Sequence, residues 1–193
     1  MEKIVVAWIF RAFDVLKIPR LFEFTWRLLT RASPLTLTEI DAASAVLGRK
    51  AIQYSKVCVA QGGILRVIFK LNRARAFVVF HTINFSKPRD NSSEHLCTMV
   101  HELTHVFQFE VIGSIYLWQA LRAQRTTGYR YGGWQQLKQD WSNGKHFRNY
   151  NREQQGQIAR GYYSEVIEKK RLAEDPIRQA FEPFINKLRE GDL

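Results

Sequence analysis

From Ser93 to Val111 the chain runs for 19 residues without a proline or a glycine. Leu96, Met99, Val100, Leu103, Val106 and Phe107 recur there at three- and four-residue steps, the spacing of a helix with a broad apolar face. The pattern predicts a helix buried deep in the fold. Ser92 or Ser93 would cap its start, Glu94 would sit favourably against the dipole, and Gly113 would end it. Inside this helix lies His101-Glu102-Leu103-Thr104-His105. Two histidines four apart sit about 40° from each other around the axis and one turn up, so both imidazoles can reach one metal ion from one face. Glu102 projects beside the same site, where it could take a proton from water. Five residues thus offer two zinc ligands and a general base. The alternative is a pair of hydrogen-bonded histidines beside a core helix, but burying His, Glu and His together without a metal is costly.

A catalytic zinc keeps three protein ligands and one open position. The extended motif with a third histidine needs glycine at position 108 and histidine at position 111. The chain has Gln108 and Val111, so that class is excluded. Glu153 is the preferred third ligand. It falls in the first turn of a helix predicted over Asn151 to Leu172, which could pack antiparallel to the motif helix and carry the carboxylate to the ion. Its simple alternative is a solvated carboxylate at a helix start. His146, in a loop beside Gly144, is the rival ligand, whereas His81 and His95 read as surface or capping residues. Tyr129, Tyr131, Tyr150 and Tyr162 are candidate donors to a developing oxyanion, each with the alternative of an ordinary half-buried tyrosine.

The 193 residues, 46% hydrophobic and 24% charged, suit one globular domain with an appended segment. The net charge of +11 permits anionic partners, yet no nucleic-acid recognition motif accompanies it. Cys58 and Cys97 are too few for a disulfide framework, and Cys97 reads as a small buried hydrophobe rather than a ligand. No apolar run is long enough to span a bilayer, and the N-terminus lacks the cleavage site of a secretory signal. The expected location is therefore cytoplasmic, or outside the cell by a non-Sec route.

Residues 1–34 read as a basic amphipathic helical arm, broken near Pro19 and bounded by Ala32-Ser33-Pro34. The arm suits packing on its own domain, with peripheral membrane contact or partner docking as alternatives. Residues 35–193 form the main domain. Thr36 with Glu39 predicts a capping box opening a helix that runs to Gly48. Lys56–Ala60 and Ile64–Leu71 flank Gln61-Gly62-Gly63 like the strands of a hairpin, and Ala76–Asn84 reads as a third strand whose edge could take an extended peptide. Helices follow over Ser114–Gln124, Trp134–Trp141 and Pro176–Arg189, the last kinked or divided at Pro183. In the long Asn151–Leu172 helix, Gly156 and Gly161 weaken the pattern, and Glu165 is placed to pair with Lys169. Grouped strands between groups of helices make the class α+β.

Several strings resemble a family: Leu37-Thr38-Glu39-Ile40, Val46-Leu47-Gly48, Ile52-Gln53-Tyr54, Val100 to Gln108, and Tyr150 to Ile158. Over about Leu35 to Tyr163 the chain resembles the small bacterial zincin-like metallopeptidase domains described as Vgr-related. These are often found near secretion-system or phage-tail-like proteins. The resemblance implies a gluzincin-like site on a small antiparallel or mixed sheet packed against the motif helix. His101, His105 and Glu153 would hold Zn2+, and Glu102 would be the base for hydrolysis of a peptide or protein substrate. The alternative is a catalytically weak or inactive interaction module of the same fold, associated with a secretion or phage-tail-like particle. The best-known gluzincins often carry an aspartate four residues after the ligand glutamate, orienting a histidine. This chain has Gln157 there.

Overall fold

The fold is known from a computed structural model, which describes residues 2–72, 74–125 and 128–193. The start of the loop expected at Thr126 lies outside the described residues. Two helices open the chain, α1 (Glu2–Val15) and α2 (Ile18–Thr30). They are separated by Lys17 in the left-handed region, and Pro19 sits in the first turn of α2, where a missing N–H costs nothing. The segment expected as a boundary is instead a strand, β1 (Ala32–Pro34). Then α3 (Leu37–Leu47) begins at Thr36, whose side chain accepts from Glu39 N while Glu39 accepts from Thr36 N at 2.8 Å. This is the expected capping box.

The middle of the chain builds the sheet: β2 (Cys58–Ala60), α4 (Leu65–Leu71), β3 (Phe77–Val79) and β4 (Thr82–Asn84). Its order is β1-β2-β4-β3, with β2 and β4 parallel and the other pairs antiparallel. Two expectations fail here. Ile64–Leu71 is not a strand but α4, because Leu65 and Phe69, four apart, are the pair that buries. Ala76–Asn84 is not one strand but a hairpin, turned at Phe80 and His81 with Val78 opposite Ile83. Phe80 takes a left-handed φ of 56°, which its side chain disfavours. Tertiary contacts hold the turn. Glu23 accepts the His81 N–H, and the Phe80 ring lies against Phe22 and Phe109.

The second half is helical: α5 (Ser93–Ile112), α6 (Ile115–Arg125), α7 (Gly133–Ser142), α8 (Arg152–Tyr162) and α9 (Pro176–Arg189). Helix α8 runs on into a π-helical turn, Tyr163–Ile167, and ends before the expected Leu172. Glu165 pairs with Lys169 at 2.7 Å. Helix α9 remains a single helix through Pro183. Phe181, Phe184, Ile185 and Leu188 are fully buried on either side of the proline and hold the two halves in place. The motif helix α5 is the axis of the core. It is capped by Ser92, ends at Gly113, and packs against α3, α8 and β3. Met99, Val100, Leu103 and Val106 are wholly buried. The class is α+β, with a small mixed sheet beside α5 and the C-terminal helices on its other side.

A buried ionic cluster ties α3 to the start of α5. Glu39, 1% exposed, binds Arg89 and lies 2.9 Å from His95 Nε2. His95, expected near the surface, is therefore a buried partner of this carboxylate. Burial works against the Glu39 charge, but His95, Arg89 and Thr36 outweigh it and bring its pKa down to about 2. A carboxylate depressed in the folded state stabilises above its unfolded pKa of about 4.3 and loses that contribution as pH falls toward the folded value. Glu39→Gln should therefore cost about 3 kcal/mol at neutral pH. It should also flatten the acid limb of the stability curve between about pH 4.5 and 2. Urea melts of both proteins across that range measure both effects.

Candidate functional site

His101 and His105 project from one face of α5, and Glu153 comes down from the first turn of α8. All three are buried. His101 Nε2 and His105 Nε2 are 3.1 Å apart, and each lies 3.4 Å from Glu153 Oε2. These atoms form a nearly equilateral triangle, and the three residues could hold a metal ion. Around a tetrahedral ion with bonds of about 2.0–2.1 Å, ligand atoms are about 3.3 Å apart. The donor set therefore fits. Two imidazole lone pairs at this distance repel each other unless a cation, proton or metal, lies between them. Without a metal the protein must supply that cation itself. Burial opposes a charge on His105, yet Glu153, Glu102 and Gln108 push its pKa up to about 9. Burial likewise opposes the Glu153 charge, but His105 and His101 hold it well below the usual carboxylate range.

His105 and Glu153 are held from behind by hydrogen bonds, and His101 by packing. His105 Nδ1 donates to Gln108 Oε1 at 2.8 Å, which leaves the Nε2 lone pair facing the site. Gln108 donates in turn to Gln155 Oε1 at 2.9 Å and to the Arg152 carbonyl at 3.2 Å. Gln155 is anchored by the Phe147 carbonyl at 3.3 Å. Glu153 Oε1 accepts from Gln124 on α6 at 2.8 Å, leaving Oε2 for the histidines. His101 Nδ1 is buried and has no hydrogen-bond partner, so Gln157 does not orient it. Close packing holds that ring instead. A Cβ built on Gly156 would lie 2.7 Å from both Cε1 and Nδ1 of His101. The glycine that weakens the helical pattern is thus what lets α8 lie against the imidazole.

The triad opens into a cleft of about 710 Å³. Glu102 lines it, 5% exposed, with its pKa raised mainly by burial against the opposing pull of His101 and His105. Tyr129 also lines it, its ring 6.1 Å from that of His101. Burial and the Glu153 charge push the Tyr129 phenol up to about 12, so it stays protonated and able to donate. The other three tyrosines are elsewhere. Tyr150 donates to Asp140, while Tyr131 and Tyr162 pack on Phe181. His146 caps a short 3-10 turn against Trp141 and lies outside the triad. His81, expected at the surface, bridges Glu23 and Glu110. Cys97 is buried beside Ser93 and Glu168, outside the triad, and both cysteines are free thiols.

Several participants escape the sequence reading. Gln108 lies one turn beyond His105 on the same face, a signal that was available. Gln124 and Tyr116 gave none. Tyr116 stacks 6.4 Å from the His105 ring and donates to the Val78 carbonyl of β3 at 3.1 Å, tying the edge strand to the site. That strand, through Phe77, Val78 and Val79, forms one wall of the cleft.

A glycine-to-alanine change inside a helix ordinarily stabilises by about 1 kcal/mol. At position 156 the sign should reverse. Gly156→Ala should lower Tm by several degrees and shift the His101 ring resonances, as calorimetry and imidazole NMR would show; an unchanged or raised Tm would refute the close contact.

Compared with models of protein families, with curated proteins and with solved structures, the chain matches none of them.

Proposed function

We propose that the chain is a zinc-dependent peptidase of the zincin type, with His101, His105 and Glu153 as ligands. The observation that carries this reading is the triangle of donor atoms 3.1, 3.4 and 3.4 Å apart, buried at the base of an open cleft beside Glu102. When bound, zinc supplies Lewis acidity toward water and toward a substrate carbonyl. The rest is the work of the chain. Glu102 accepts the proton of the attacking water at its carboxylate and passes it to the leaving amine. Its burial suits this role, because a carboxylate with a raised pKa is a stronger base. The Tyr129 phenol, protonated at neutral pH, donates to the oxyanion that develops on the substrate carbonyl.

The edge of the sheet supplies the binding mode. Among the described residues β3 pairs with no strand other than β4, its Val78 carbonyl accepts from Tyr116, and its residues border the cleft. An extended peptide could add there as a further strand, its backbone groups paired with those of β3 and its side chains entering the cleft alternately. The apolar lining from Val79, Leu117, Ala120 and Leu121 would take an aliphatic or aromatic residue.

Protein purified without added metal should carry about one zinc per chain, read by elemental analysis, and should cleave a mixed peptide library. Glu102→Gln should keep the zinc and lose cleavage by at least about a hundredfold. Glu153→Ala should lose both. Tyr129→Phe should keep the zinc and lower kcat by on the order of a hundredfold. Full zinc in Glu153→Ala would remove this residue from the ligand set, and library cleavage undiminished in Glu102→Gln would overturn the mechanism.

A further inference from the structure

Residues 1–89 hold 15 of the 29 Lys and Arg residues but only 5 of the 18 Asp and Glu, so +10 of the +11 net charge lies in that part of the chain. Between Asp41 and Asp90 there is no acidic residue at all. The fold sharpens this asymmetry in the N-terminal arm. Asp14 faces the domain, accepting the Ser114 N–H at 3.0 Å. Glu23 does the same, accepting the His81 N–H and lying 3.4 Å from that ring. Arg27 is also turned inward, donating to the Lys56 carbonyl at 2.7 Å. Among the described side chains, the charges left on the outer side of the arm are Arg11, Lys17, Arg20 and Arg31, all exposed and all positive.

Large apolar side chains stand among them. Trp8, Leu21, Phe24 and Leu28 are each about two-thirds exposed, at 65%, 72%, 66% and 68%. Leu21, Phe24 and Leu28 recur at helical steps and make one stripe along α2. Arg20 lies on one flank of it, and Lys17 and Arg31 stand at the two ends of the helix. Helix α4 repeats the pattern. Ile64, Val67 and Leu71 are exposed on one stripe, with Arg66 and Lys70 exposed beside it. The inward residues of α4, Leu65 and Phe69, share a small core with Trp26 of α2, so the two helices are neighbours.

We propose that α1, α2 and α4 form a docking surface for an anionic lipid bilayer. Stripes of large apolar side chains this exposed on neighbouring helices mark an interaction surface. A nucleic acid would use the cations and could stack bases on Trp8 and Phe24, but it has no use for the exposed aliphatic side chains of Leu21, Leu28, Ile64, Val67 and Leu71. A lipid surface uses both: the apolar stripe enters the acyl boundary and the flanking cations meet anionic headgroups. The hydrogen bonds that Asp14 and Glu23 accept from the domain, and the one that Trp26 donates to it, hold the arm in place, so docking needs no rearrangement of it. The surface is also coupled to the cleft. Helix α1 packs on α6, and both α6 and α4 contribute cleft residues. The bilayer would therefore hold the cleft at a fixed attitude to the membrane. The inference does not rest on the peptidase reading.

The test is flotation of the full chain with vesicles of phosphatidylcholine alone, or of phosphatidylcholine mixed with phosphatidylglycerol. The chain should float with the mixed vesicles, scarcely with the neutral ones, and less as salt shortens the screening length from about 30 Å at 0.01 M to about 10 Å at 0.1 M. Leu21→Gln, Phe24→Gln and Leu28→Gln together should abolish flotation. These positions are exposed, so circular dichroism should be unchanged. Lys17→Glu, Arg20→Glu and Arg31→Glu together should weaken binding to mixed vesicles by at least about a hundredfold, at about fivefold for each charge. Equal binding to both vesicles, or flotation of the Gln triple variant at the level of the parent, would overturn the proposal. So would a chain that light scattering shows to be a dimer and that binds neither vesicle, because a second copy would then cover the face.

Discussion

Because residue 156 has no side chain, α8 can lie directly against the His101 imidazole on α5. That approach brings Glu153, three residues earlier, within 3.4 Å of both histidines. Nothing in α5 alone could assemble the triad. The same contact explains why His101 needs no hydrogen bond at Nδ1: the ring is fixed by packing, whereas His105 is fixed by Gln108. The buried amides of Gln108 and Gln155 lock the two helices in register, so the geometry of the three donor atoms follows from helix packing.

Histidine–carboxylate pairings occur along the whole of α5. His95 meets Glu39 near its start, His101 and His105 meet Glu153 at its middle, and Glu110 meets His81 near its end. The outer two tie neighbouring elements to the helix. The pairing with Glu39 fastens α3, and His81, held by Glu23 as well, fastens the β3–β4 turn and the arm. Among the described residues only the middle group has three donor atoms arranged around a common centre, and it lines the cleft of about 710 Å³. Similar chemistry is structural at the two ends and available for a ligand in the middle, and geometry makes the difference.

The sequence disclosed most where one element carries its own explanation. The core helix and its Ser92 cap, the capping box at Thr36, and the pairing of His101 with His105 all follow from local spacing. Glu153 was accessible because a carboxylate in a helix first turn is a recognisable object. Elements determined by distant contacts were hidden. Phe80 and His81 are not turn-forming residues, and tertiary contacts with Glu23, Glu110, Phe22 and Phe109 make them turn. Ile64–Leu71 is rich in β-branched and aromatic residues yet is helical, because burial selects Leu65 and Phe69. Gly156 looked like a weakness in a helix until its neighbour was known. Gln124 and Tyr116, on a separate helix, could not be linked to the site by any spacing.

X-ray absorption at the zinc edge of the purified chain would show whether two imidazoles and one carboxylate oxygen hold one zinc ion. The expected spectrum is that of a four-coordinate site with nitrogen and oxygen neighbours at about 2.0–2.1 Å and the outer-shell scattering of two imidazole rings. A spectrum with one imidazole or none, or a six-coordinate ion surrounded by water, would contradict it.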